Sequence, residues 1–333
     1  LSTYFNIVKG SRMKNNLMMG PEDDFLVWDG MQRTESAENW QNYLGGLSLV
    51  DTIVVKLGTK VVTHEDPLVM GFQMGAVAQD LIDLRQKGYK VLLVSSGACG
   101  LGRKIRIQRG YGIPETHTDQ EFAEQQQIDA TYGEPELYRK WVEAFGEQPT
   151  IEYLFVRDDF KNDKTRPQIL RTLHTVLADG TIPVINEDDK RSIEEIRDPT
   201  KPYFSDNDGL SNLVAQHVNG KTLLVMLSNV QGIYTKESYE GYHPEVIRVV
   251  KNHLGLESQA KPPREGEGGE TRGWIESKID ACSKAAAVGV MSVVASGVYF
   301  GLPYSEGQRT YRPIHAILEG RVVGTRFMPK ESN

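Results

Sequence analysis

The chain has 333 residues, enough for one large domain or two small ones, and its 39% hydrophobic and 25% charged residues exclude a disordered or collagen-like chain. Its longest aliphatic run, 223–227, falls far short of the ~20 apolar residues of a membrane span, and 45 acidic against 38 basic residues (net charge −7) argue against a general nucleic-acid binder. The two cysteines, Cys99 and Cys282, form no CxxC pair, which argues against a disulfide framework or a thiolate zinc site and predicts a reduced, cytoplasmic setting.

Residues 1–49 carry no long periodic segment. Lys9, Arg12 and Lys14 precede the first acid, Glu22, as in a transit peptide, but the Arg-rich amphipathic pattern is missing. An N-terminal extension or an oligomer contact is the expectation.

A regular alternation starts at Asp51. A buried strand is predicted over 52–56, then a helix over 67–87 with apolar residues at helical spacing and Gly88 at its stop. Strands follow over 90–95, 150–156, 182–186, 222–227 and 291–295. Helices are predicted over 119–145, 165–178, 207–218 and 275–288. Short apolar strands alternating with helices specify a mainly parallel sheet covered by helices. In such sheets ligands bind beyond the carboxyl ends of the strands, so the residues just after each strand are the candidates.

The first strand ends Lys56-Leu57-Gly58. Glycine lets backbone amides approach an anion, and Lys56 brings an ammonium to the same mouth; a solvated lysine at a strand end is the plainer alternative. The second strand runs into Ser95-Ser96-Gly97-Ala98, small residues that leave amides free at a helix N-terminus for a phosphate or carboxylate, or that simply ease packing. The spacing is not GxGxxG, so no dinucleotide fingerprint is present.

The fourth strand ends Asn186-Glu187-Asp188-Asp189. Adjacent carboxylates repel and are costly to bury without a cation, so the choice is a binding site or a solvated acidic loop. Asn207 and Asp208 follow at a helix start, where they could hold an amine or orient charged groups, with Asp206 available as a cap; the spacing fails an EF-hand. Gly220-Lys221-Thr222 mimics the end of a phosphate loop, but Ala215 stands where the first glycine is needed and the helix precedes the strand. A glycine-rich stretch, 266–273, leads into a helix bearing Lys278, a layout that suits polyphosphate or a surface loop.

Taken in order, VVKLGT (54–59), VSSGA (94–98), RDDF (157–160), PVINEDD (183–189), SDNDGLSNLVA (205–215), GIYT (232–235), RGWIESK (272–278), ASG (295–297) and GRVVGTRF (320–327) resemble the amino-acid kinase family, most closely its glutamate 5-kinase group or the kinase half of pyrroline-5-carboxylate synthase. The resemblance spans about residues 51–328. It implies a three-layer α/β/α sandwich over 50–330, with an amino-acid half about 50–215 and a nucleotide half about 216–330.

It also implies ATP-dependent phosphorylation of the γ-carboxylate of L-glutamate, at the head of proline synthesis, with Mg²⁺ held largely by ATP phosphates and water. By motif position, Lys56 and Lys278 neutralise the transferring phosphoryl group and Asp208 holds the two lysines. Ser96, Gly97, Asp189 and Asn207 bind glutamate. Lys56, Gly58, Ser228, Asn229 and the run Arg272, Gly273, Trp274, Ile275, Glu276, Ser277 and Lys278 line the nucleotide. Proline as a feedback inhibitor and a homo-oligomer, dimer or tetramer, are implied too, with 119–145 as their place. The domain after the kinase in many relatives is expected to be absent.

The chemistry agrees with these residue types. A carboxylate is already a nucleophile at neutral pH, so the task is to bring two anions together and stabilise spreading charge. Two positions depart from the family pattern: Ser228-Asn229 replaces Thr-Asp, and Trp274 stands where a glycine lets backbone approach phosphate. Another carboxylate kinase of this fold stays open as an alternative, and these two departures add a second, a weakened subunit that senses glutamate or proline.

Overall fold

The computed structural model describes residues 24–63, 66–116, 118–191, 207–218, 220–234, 245–256, 274–297 and 311–329. Its strands are β1 (Phe25–Asp29), β2 (Gln32–Glu35), β3 (Thr52–Leu57), β4 (Lys90–Ser95), β5 (Thr150–Phe155), β6 (Ile182–Glu187), β7 (Thr222–Ser228), β8 (Ile233–Tyr234), β9 (Val246–Asn252), β10 (Met291–Ser296) and β11 (Thr325–Phe327). All join one sheet in the order β2-β1-β9-β11-β10-β7-β3-β4-β6-β5, with β8 beside β9. The pairings from β10 through β7, β3, β4 and β6 to β5 are all parallel.

The helices are α1 (Thr59–Val62), α2 (Pro67–Gln86), α3 (Ala98–Gln108), α4 (Asp119–Phe145), α5 (Arg157–Lys161), α6 (Arg166–Ala178), α7 (Asn207–His217), α8 (Trp274–Ala287) and α9 (Pro313–Leu318). They form two outer layers. On one face, Ile53, Val55 and Leu57 of β3 pack with Leu81 and Leu84 of α2, Trp141 of α4 and Ile314 of α9. On the other, Val54 of β3 packs with Leu173 of α6, Leu210 and Val214 of α7 and Ile279 of α8. The parallel sheet expected from the alternation, and the three-layer α/β/α sandwich that the resemblance implies, are the observed fold. Burial on both faces explains why residues 53–55 of β3 and 223–227 of β7 read as continuous apolar runs. Each fully buried Val, Leu or Ile contributes on the order of 1.5–3 kcal/mol.

Residues 25–35 depart from the expectation of an aperiodic extension. Phe25–Asp29 pairs parallel to β9, and Gln32–Glu35 folds back antiparallel against it. Five residues are too few to show a period, and the β9 edge makes them a strand. Phe25 then meets Trp40 edge-on at 5.3 Å, closing a small separate core with Val27, Tyr43 and Val249.

Two contacts set α3 and α4 on the sheet. The Trp141 indole donates to Ser95 Oγ at 2.9 Å. Where the helices cross, a Cβ on Gly102 would lie 1.7 Å from the Asp129 carbonyl oxygen, and one on Gly133 1.8 Å from that of Ala98. Only two glycines permit this approach.

Among the described residues no helix is long and apolar enough to cross a membrane.

Candidate active site

Hydrogen bonds carry the register of the strands past their carboxyl ends. The Gly58 amide donates to Leu227 O (3.0 Å), Ser96 to Leu57 O (3.2 Å), Gly297 to Ser228 O (2.7 Å) and Asp188 to Phe155 O (2.8 Å). Six strand ends therefore open onto one edge, where Gly58, Ser96, Gly97, Asp189, Ser228 and Asn229 stand at the starts of the connections.

Lys56 lies in register with Val94 of β4 and Met226 of β7. It shares the face of Val54, so its side chain runs toward α7 and α8 rather than into solvent. The solvated-lysine alternative is thereby excluded: the side chain is 7% exposed. Lys56 Nζ lies 2.5 Å from Asp208 Oδ1, and Lys278 Nζ, one turn into α8, lies 2.7 Å from Asp208 Oδ2. Ser277 Oγ donates to the same Oδ2 at 3.1 Å. Three charged groups from β3, α7 and α8 thus form a buried bridge.

Burial by itself raises the carboxyl pKa of Asp208, but Lys278 and then Lys56 outweigh it and hold the group well below the usual carboxylate range. One carboxylate against two ammonium groups leaves a net positive charge. Isolated charge of that kind is costly out of water, and an anion arriving at the mouth relieves it.

Asn207 docks α7 onto the end of β6. Its Nδ2 donates to Asn186 Oδ1 at 2.9 Å, and its Oδ1 accepts from the Glu187 amide at 3.3 Å. The acidic run is not a solvated loop: Glu187, Asp188 and Asp189 are all buried. The counter-charge comes from Lys190, paired with Glu134 of α4, and from Arg191, 3.5 Å from Asp188. Asp189 Oδ2 lies 3.7 Å from Cys99 Sγ. Burial first, then Asp189, push that thiol well above its ordinary pKa.

Gly97 caps α3 with φ +114°, a backbone conformation that side-chain-bearing residues rarely adopt. Ser96 is buried beside it. Ser228 is buried and its hydroxyl faces Asn229 Oδ1 at 3.4 Å.

Of the nucleotide-side run, Ser277 and Lys278 reach the charged bridge, whereas Ile275 is buried in the apolar core and Glu276 is exposed. Arg272, Gly273, the Trp274 side chain, Asp206 and the glycine-rich 266–273 stretch lie outside the described residues.

Glu134, Glu152, Lys190 and Cys99 are the site neighbours that sequence reasoning passed over. Lys190, one position beyond the acids, was the available signal.

A parallel sheet sandwiched by helices, with a lysine–aspartate–lysine bridge at its carboxyl edge, defines a class of proteins that handle anionic groups at that edge. Residues 51–295 match the model of the amino acid kinase family, and the chain belongs to that family. It is 33% identical over 285 residues to a glutamate 5-kinase of Synechococcus sp. (strain JA-3-3Ab), covering 84% of this chain and 68% of the relative. It is 30% identical over 289 residues to the glutamate 5-kinase of Clostridium acetobutylicum, covering 85% and 97%. Among solved structures it is similar to a carbamate kinase from Giardia lamblia bound to AMP-PNP, with a TM-score of 0.54, 14% identity and 84% and 99% coverage. The protein is a phosphotransferase of the carboxylate-kinase type.

Proposed function

We propose that the chain transfers the γ-phosphoryl group of ATP to the γ-carboxylate of L-glutamate, the first step of proline synthesis. A γ-carboxylate oxygen attacks the γ-phosphorus, the bond from that phosphorus to the bridging oxygen breaks, and ADP leaves with the electron pair. The products are ADP and γ-glutamyl phosphate.

The observation that carries this reading is the buried Lys56–Asp208–Lys278 bridge with its net positive charge. Charge on the migrating phosphoryl oxygens is what such a bridge stabilises, and fixed ammonium groups do so without reorganising. Asp208, kept ionised, stops the two lysines from repelling each other. No residue need act as a base. The names of the relatives support glutamate as the acceptor.

In this reading Asp189 and Asn207 receive the substrate ammonium group, and Ser96 with the amides near Gly97 receives a carboxylate. Gly58, Ser228, Asn229 and the start of α8 line the nucleotide, so residues 50–215 form the amino-acid half and 216–330 the nucleotide half. Both Asp208 oxygens face ammonium groups, so Asp208 holds the two lysines in this reading. Mg²⁺ enters it as part of the MgATP substrate, held largely by phosphates and water. Proline inhibition and a homo-oligomer in the cytoplasm go with the same proposal.

Hydroxylamine tests it directly, because it converts an acyl phosphate to a hydroxamate. With ATP, L-glutamate should yield γ-glutamyl hydroxamate and matching ADP, while aspartate and acetylglutamate should not. Turnover with another carboxylate alone would reassign the substrate. No turnover, with proline still raising the melting temperature, would favour the sensing subunit.

A further inference from the structure

Asp189 and Lys190 are consecutive, yet their side chains meet different partners. Asp189 faces Cys99 at the start of α3, on the substrate edge. Lys190 reaches back to Glu134 in the middle of α4, whose carboxylate is only 1% exposed. Glu134 follows Gly133, the residue whose missing side chain lets α4 press on Ala98. Glu134 is thus carried on the turn of α4 that packs against Ala98, the residue that follows Ser96 and Gly97 in the chain.

The charges around the pair explain why it is needed. Lys190 faces Glu134, Asp188 and Glu152, and these carboxylates together raise its pKa against the opposing effect of burial. Glu134 feels burial most, which raises its pKa, while Lys190 and the Asp189 backbone amide favour its ionised form. Without the ammonium group, Glu134, Glu152, Asp188 and Asp189 would keep only the largely exposed Arg191, 3.5 Å from Asp188, as counter-charge next to the substrate edge. The loop would move outward to hydrate them, carrying Asp189 with it.

We propose that Glu134 and Lys190 are a positioning pair. The ion pair fixes the backbone at Asp189 and so aims its carboxylate at the ammonium group of the amino-acid substrate. The proposal rests on the assignment of Asp189 as an amine-binding group in the function proposed above. It places substrate affinity under the control of a helix that touches no substrate, and it leaves the phosphoryl-transfer lysines alone.

The test uses the full chain with Glu134→Gln, Lys190→Met, both together, and Lys190→Arg. Steady-state constants are measured for glutamate and for ATP, and hydrogen exchange is followed at the amides of 188–190. Loss of one partner of a desolvated pair should raise the glutamate KM about tenfold, with kcat and the ATP KM within about twofold. The double variant should be no worse than the worse single one, and Lys190→Arg should restore most of the affinity. Exchange at 188–190 should quicken in Glu134→Gln and Lys190→Met.

A uniform fall in kcat with unchanged glutamate KM, multiplying costs in the double variant, or failure of arginine to rescue would overturn the pair. If the wild type does not turn over glutamate, the proposed function fails on its own. Exchange then decides the pair: faster exchange in the variants supports it, and unchanged exchange refutes it.

Discussion

Asp208 Oδ2 accepts from Lys278 Nζ at 2.7 Å while the carboxylate's other oxygen faces Lys56. The contact joins the helix after β6 to the helix before β10 across the mouth of the sheet. Its pH dependence follows from the lowered carboxyl pKa. A group depressed in the folded state contributes stability that is fully present above the unfolded value, near 3.9, and is lost as pH falls below it. Denaturant melts of wild type and Asp208→Asn should therefore differ most above about pH 4, and the gap should narrow in stronger acid. A gap constant down to pH 2 would contradict the bridge.

The crossing of α3 and α4 predicts a second effect. Alanine at Gly133 would drive a Cβ into the Ala98 carbonyl, so the helices must part. Overpacking of this kind destabilises by about 2–3 kcal/mol. Thermal and denaturant melts of Gly133→Ala check the value, and Gly75→Ala is the control, because nothing lies within 4 Å of its added Cβ.

The thiols give a third. Burial and Asp189 raise the pKa of Cys99; burial above all holds the Cys282 thiol at about 12. The thiolate is the reactive form, so the native protein should alkylate slowly at pH 7.5 and release two fast thiols on unfolding. Asp189→Asn should speed the Cys99 reaction. An unchanged rate would contradict the closeness of the two side chains.

The arrangement of these parts was partly legible in the chain itself. Lys56, Asn207 and Asp208 stood out because strand ends of a parallel sheet are where ligands bind, and the order of motifs tied Lys278 to them. The acidic run at 187–189 offered both a site and a solvated loop, and sequence alone could not choose. Choosing required knowing that Lys190 meets Glu134, a contact that depends on how closely α4 approaches α3. Glu134 looks like any helical glutamate until Gly102 and Gly133 are seen to touch the opposite backbones. The β1 strand was hidden for a different reason: five residues form a strand only because β9 offers an edge and Trp40 and Tyr43 cover it.

The most direct test of the account is kcat for hydroxamate formation from ATP and L-glutamate by wild type, Lys56→Ala and Lys278→Ala at saturating substrates, with folding verified by melting temperature. Each ammonium contact to developing phosphoryl charge is worth about 3–4 kcal/mol, so each variant should lose ~10²–10³ in kcat while remaining folded. A folded variant of either lysine that keeps kcat within tenfold of wild type would show that the two ammonium groups do not act on the transferred phosphoryl group.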